Sequence, residues 1–162
     1  MGKVDTKELK KFLEPFSDDI ISTALWLREF VWDQYPQCNE LIYDNYNALG
    51  LGWSLTNRLL HTFCSIAVYE NYLHFGFYWG SQISDPDKIL LGKGNQYRYI
   101  KIENKADFPA AYITMLLKEA YAISLAKMDN QSQVMKGRTI TKSISPVKKR
   151  PAMVSSKTRK SV

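Results

Sequence analysis

The stretch FCSIAVYENYLHFGFY, residues 63–78, decides how this chain folds. Its first half alternates: Cys64, Ile66 and Val68 share one side, and Phe63, Ser65, Ala67 and Tyr69 the other. Its second half sets Leu73, Phe75 and Phe77 against Tyr72, His74 and Tyr78. A period of two marks a strand with one buried face. Between the halves Glu70-Asn71 fits a tight turn, so the two strands make an antiparallel hairpin. The apolar side of that hairpin needs a cover.

Helical patterns that could cover it stand before and after it. Ser17 and Asp18 cap a segment in which Ile20, Ala24, Leu27 and Val31 recur at helical spacing, with Ser22, Arg28, Glu29 and Asp33 on the opposite side and Pro36 closing it. Upstream, Asp5 or Thr6 caps a short helix carrying Leu9, Phe12 and Leu13, which stops near Pro15. Downstream, Asp107 caps a last helix with Pro109 in its first turn and a stripe of Tyr112, Ile113, Leu116, Leu117, Ala120 and Tyr121. Further strands are expected at Leu41–Tyr46, at Ala48–Ser54 despite Gly50 and Gly52, and at Tyr97–Ile102. Turn residues fill 80–94. Strands joined by turns imply an antiparallel sheet. The expected fold class is therefore α+β, an antiparallel sheet with N- and C-terminal helices packed on one face.

Composition divides the 162 residues in two. Residues 1–130 hold 13 Lys and Arg against 16 Asp and Glu, a net −3, whereas residues 131–162 hold nine basic residues and no acid, a net +9. The sequence predicts a folded α+β domain over 1–130 and a basic, disordered tail over 131–162. Cys38 and Cys64 form no CxxC pair, which reads as reduced thiols in a cytoplasmic protein. The N-terminus lacks an apolar core of signal-peptide length, and no stretch is long and apolar enough for a membrane span. Met-Gly followed by Thr6 is a loose myristoylation match of the kind that arises by chance.

Three blocks in order, LIYDNYNALGLGWSLT (41–56), FCSIAVYENYLHFGFYWG (63–80) and SDPDKILLGKGNQYRYIKI (84–102), resemble the YdhG-like family of small domains of unknown function. ISTALWLREFV (21–31) and the closing helix fit the same plan, so the resemblance spans roughly residues 6–126. Its most specific part sets Asp85-Pro86, Gly92-x-Gly94 and Arg98 in one register. Tyr99 stands where related members carry a His, so no role of that imidazole is carried over. The resemblance implies a frataxin-like sandwich, and one branch of the family is linked to intracellular iron delivery. Fold likeness by itself transmits no function.

Four sets of residues are candidates. In the first, Asp85, Gly92, Lys93, Gly94 and Arg98 form a loop whose backbone N–H groups and cations suit a phosphate or carboxylate; equally, the glycines could make a turn that Arg98 fastens through Asp85 or Asp87. It lacks the spacing of a Walker loop. In the second, Tyr69, Tyr72, His74 and Tyr78 point away from the helices, as a surface for a protein partner, a base or a flat ligand, or as ordinary cross-strand packing. In the third, Glu29 and Asp33 lie one helical turn apart and offer oxygen ligands to iron, or simply a solvated face beside Arg28. His61 and Cys64 would point to opposite faces of a strand and make weak ligands. In the fourth, the +9 tail suits nucleic acid or an anionic membrane, and its Lys148-Lys149-Arg150-Pro151 cluster resembles a nuclear import signal; equally, it could be a solubilising tail with no partner, or an extension retained by drift. No nucleophile motif or matched acid–base pair stands out. The expectation is a non-catalytic cytoplasmic domain that binds a small anionic ligand or a metal, iron included, with nucleic-acid association through residues 131–162 and frataxin-like iron handling as alternatives.

Overall fold

The computed structural model describes residues 7–128 and 137–151. Two helices open the fold, α1 (Lys7–Leu13) and α2 (Asp18–Gln34). The Ser17 hydroxyl caps α2 by accepting from the Ile20 N–H at 3.3 Å. The expected caps of α1, Asp5 and Thr6, lie outside the described residues. Four strands follow in turn-linked succession: β1 (Asn39–Asp44), β2 (Leu49–Ser54), β3 (Thr62–Val68) and β4 (Leu73–Phe77). After a long loop come β5 (Arg98–Ile102) and α3 (Ala110–Ala126). The last helix does not start at Asp107. Pro109 disfavours helical geometry at the residue before it, so Phe108 is extended, and Asp107 ends a separate 3-10 turn at Lys105–Asp107.

These five strands pair antiparallel throughout, as the turns imply. The expectation of a purely antiparallel sheet and a wholly disordered tail nevertheless needs correction. Residues Thr139–Ile144 form β6, which joins β1 in parallel, so the sheet is mixed and six-stranded in the order β5-β4-β3-β2-β1-β6. The chain enters it through hydrogen bonds from the Gly137 N–H to the Gln37 carbonyl (3.0 Å) and from the Glu40 N–H to the Arg138 carbonyl (2.7 Å).

One side of the sheet carries Ile42, Leu51, Ile66, Phe75 and Ile100 in a single cross-strand row, all buried. The helices close it. Phe30 of α2 meets Phe75 edge-on at 6.3 Å, and Tyr35 and Tyr121 meet at Phe63. Phe63 was expected on the other side. Pairing skips it, because Trp53 is opposite Cys64 and Ser54 opposite Thr62; this bulge turns both Phe63 and Cys64 inward.

Arg28 also corrects the reading of α2, which set it on the polar face. It is buried, and its Nε and Nη2 donate to the two carboxylate oxygens of Glu40 at 2.7 and 2.9 Å. Thr139 of β6 donates its hydroxyl to the same carboxylate at 2.8 Å. A buried ion pair holds only with this geometry and full hydrogen bonding.

Candidate functional site

The sequence favours the glycine loop as the binding site. Gly92 has φ +125°, and a Cβ there would sit 2.9 Å from the Tyr97 carbonyl, so backbone geometry alone demands glycine. Arg98 Nη1 donates to the carbonyls of Gly94 (2.7 Å) and Tyr97 (2.8 Å). The loop therefore turns carbonyls toward a cation, the reverse of an anion nest. Arg98 does fasten the loop, but through carbonyls and not through Asp85 or Asp87. Asp85 organises the preceding turn, accepting from the N–H groups of Ile89 (3.2 Å) and Leu90 (2.9 Å) and from the Tyr112 hydroxyl (2.6 Å). Burial pushes its carboxyl up, yet these bonds outweigh burial and hold it below the usual range. Lys93 and Gly94 are exposed.

Glu29 and Asp33 are exposed on α2, whereas the Arg28–Glu40 pair is buried. Among the described residues no three His, Cys, Asp or Glu side chains come together as a metal site. His61 is bonded to the Thr56 hydroxyl through Nδ1 at 2.9 Å. Burial raises the Cys64 thiol well above its ordinary value and the Cys38 thiol to about 12, so neither is a ready thiolate.

The tyrosine side of the sheet is where separate elements converge. Tyr69 stacks on Tyr72 at 4.9 Å across the hairpin turn, and both lie against His74. His74 stacks face to face on Tyr99 of β5 at 4.0 Å, and Tyr99 on Tyr97 at 5.6 Å. Lys101 lies 4.5 Å from the Tyr72 ring centre. Burial and this ammonium both lower the His74 pKa from 6.5, so the imidazole is neutral at pH 7. Tyr78 lies farther along, edge-on to Trp79 at 5.1 Å and close enough to Tyr43 to help burial raise that phenol.

The strand positions between these rings carry small residues. Tyr99 is paired with Gly76, Gly76 with Ser65, and Ser65 with Gly52; one step along, His74 is paired with Ala67, and Ala67 with Gly50. Tyr97 lies across Gly76, where a Cβ would run into its phenol. Its hydroxyl is bonded to Ser65, and burial pushes its pKa up to about 12 despite that bond. Beside it an open trough of about 680 Å³ runs over Gly50, Ser65 and Ala67, walled by Tyr69, Tyr97 and the Asn45–Asn47 turn. Ser145, from beyond the expected domain boundary at 130, completes the rim. The segment after β6 also holds that turn, through the Lys149 N–H to the Tyr46 carbonyl (3.0 Å) and Arg150 Nε to the Asn45 carbonyl (3.1 Å).

Sequence reasoning found Tyr69, Tyr72, His74 and Tyr78, but missed Tyr97, Tyr99 and the small-residue floor. Tyr97, Tyr99 and Lys101 alternate against Ile100 and Ile102, a phase that was available to find them. No family model, curated protein or solved structure matches the chain, so the geometry of this face carries the functional reading alone.

Proposed function

We propose that this chain is a YdhG-like, non-catalytic binding domain that holds a small, flat, uncharged ligand in the trough over Gly50, Ser65 and Ala67. One observation carries the reading. Gly76 and Gly92 are glycine because a side chain would collide with Tyr97, but a Cβ on Gly50 would meet nothing closer than the Tyr43 carbonyl at 3.6 Å. Packing does not demand glycine there, and glycine weakens a strand interior by roughly 0.5–1 kcal/mol. Keeping the trough open accounts for it. None of the residues lining the trough carries a charge at neutral pH, whereas Tyr97, Ser65, Asn45 and Asn47 offer hydroxyl and amide groups. Aromatic walls with such groups suit a planar heterocycle.

Anion binding at Gly92–Arg98 is the weaker proposal, because the guanidinium already has two carbonyl partners. Iron handling and a frataxin-like sandwich rest on the resemblance, with Glu29 and Asp33 as the only ligands suggested for the metal. Nucleic-acid association through residues 131–162 rests on the +9 charge, of which Lys142 and Lys149 are exposed while Lys148 and Arg150 are tied to Asp44.

The test titrates uncharged heterocycles (adenine, cytosine and nicotinamide) into the 15N-labelled full-length chain. Saturable shifts at the amides of Gly50, Ser65 and Ala67, lost in Gly50→Val while the rest of the spectrum is unchanged, are the expected result. Shifts equal in both proteins, or none with any of the three, would overturn the reading.

A further inference from the structure

The two acids of β1 that face the helices, Glu40 and Asp44, are balanced differently. Glu40 is matched by one guanidinium. Asp44 is met by two cations, because the chain turns after β6 and brings back Lys148, 3.3 Å from Oδ2, and Arg150, bonded to Oδ1. The side chains of Asp44, Lys148 and Arg150 are only 8, 11 and 4% exposed. The three groups together carry one positive charge in excess, with the Arg150 guanidinium also lying over the Phe16 ring at 5.6 Å.

Next to it is a cavity of about 330 Å³ between the end of α1 and this returning segment. Lys11 lines it, and its ammonium has no hydrogen-bond or ion-pair partner among the described residues. Phe12, Pro15 and Ile144 make apolar walls, and the Asp44 carboxylate, held by its two cations, also lines the cavity. Donors remain available. Lys148 donates one of its three N–H groups to the Ser145 carbonyl and meets Asp44 as an ion pair. Arg150 uses three of five, on Asp44 and the carbonyls of Asn45 and Pro151.

We infer that this cavity is a second binding site, for a small organic anion. Its oxyanion head, carboxylate or phosphate, sits among Lys11, Lys148 and Arg150 and neutralises the surplus charge; a short apolar body lies on Phe12, Pro15 and Ile144. The volume is at the lower end of the range for ligand pockets, about 300–1,000 Å³, which limits the body to about one ring. The site is distinct from the trough: Ser145 is the one lining residue they share, although Arg150 also donates to the Asn45 carbonyl in the trough wall.

The test is calorimetric titration of the full-length chain with phenyl phosphate, benzoate and inorganic phosphate. One-site binding is expected for at least one of the two aromatic anions, with phenyl phosphate about tenfold tighter than inorganic phosphate because of the apolar walls. Lys11→Gln removes an exposed, unpaired cation and so leaves the fold intact; it is expected to weaken binding about fivefold or more. Lys118→Gln, an exposed lysine of α3, and Gly50→Val, in the trough, are expected to leave it unchanged. Absence of saturable binding for all three anions, or equal losses in Lys11→Gln and Lys118→Gln, would overturn the site. Inorganic phosphate binding as tightly as phenyl phosphate would overturn the organic body.

Discussion

On the helix side of the sheet, Ile42, Leu51, Ile66, Phe75 and Ile100 fill the space between strands and helices with their own volume. At the alternate positions of the same strands the other side carries Gly50, Gly52, Ser65, Ala67 and Gly76, and its bulk comes from tyrosines reaching in from β5 and the hairpin turn. The first arrangement leaves no room. The second leaves a floor that rings cover only in part. One alternating pattern can thus build a core on one face and a concave surface on the other, with the difference lying in residue size more than in polarity.

The sharpest way to break the contrast is Phe75→Ala. That ring is fully buried against Phe30, Phe77 and Phe108, and its loss should cost about 3–5 kcal/mol in urea unfolding. On the other face Gly76→Ala should cost about 1–3 kcal/mol by forcing Tyr97 aside. Adding Tyr97→Ala should recover part of that loss, and strictly additive effects would contradict the packing described. Gly50→Val should go the other way, raising stability by up to about 1 kcal/mol while closing the trough. A destabilised Gly50→Val would mean that packing, not ligand space, explains the glycine.

The smallest effect concerns His74. Its pKa is lowered in the folded state, so the unfolded chain binds the proton more readily on acidification. Stability should therefore fall as pH drops below about 6.5, and level off, for this group, once pH is under the folded value. His74→Gln should flatten that part of the profile in unfolding curves between pH 7.5 and 5.5. An unchanged slope would remove His74 from the account.

Much of this was legible in the residues. The 63–78 hairpin, the Ser17-capped helix and the Tyr97–Ile102 strand follow from local periodicity, which acts over a few residues and needs no partner to be read. The tyrosine side followed from the same alternation. What escaped depended on distant contacts. Arg28 looks like a surface residue until Glu40 meets it from β1. Phe63 changes sides through a bulge that alternation does not record.

By itself, then, the chain's pattern determined the α+β class, the antiparallel pairing of β1–β5 and which face of the hairpin is apolar. Only tertiary structure decided that Thr139–Ile144 is a strand and that its sequel delivers Lys148 and Arg150 to Asp44. The reason is energetic. TITKSI has β-branched residues but no apolar stripe of its own. It becomes a strand because the free edge of β1 supplies its hydrogen bonds and the buried Glu40 carboxylate takes the hydroxyl of Thr139.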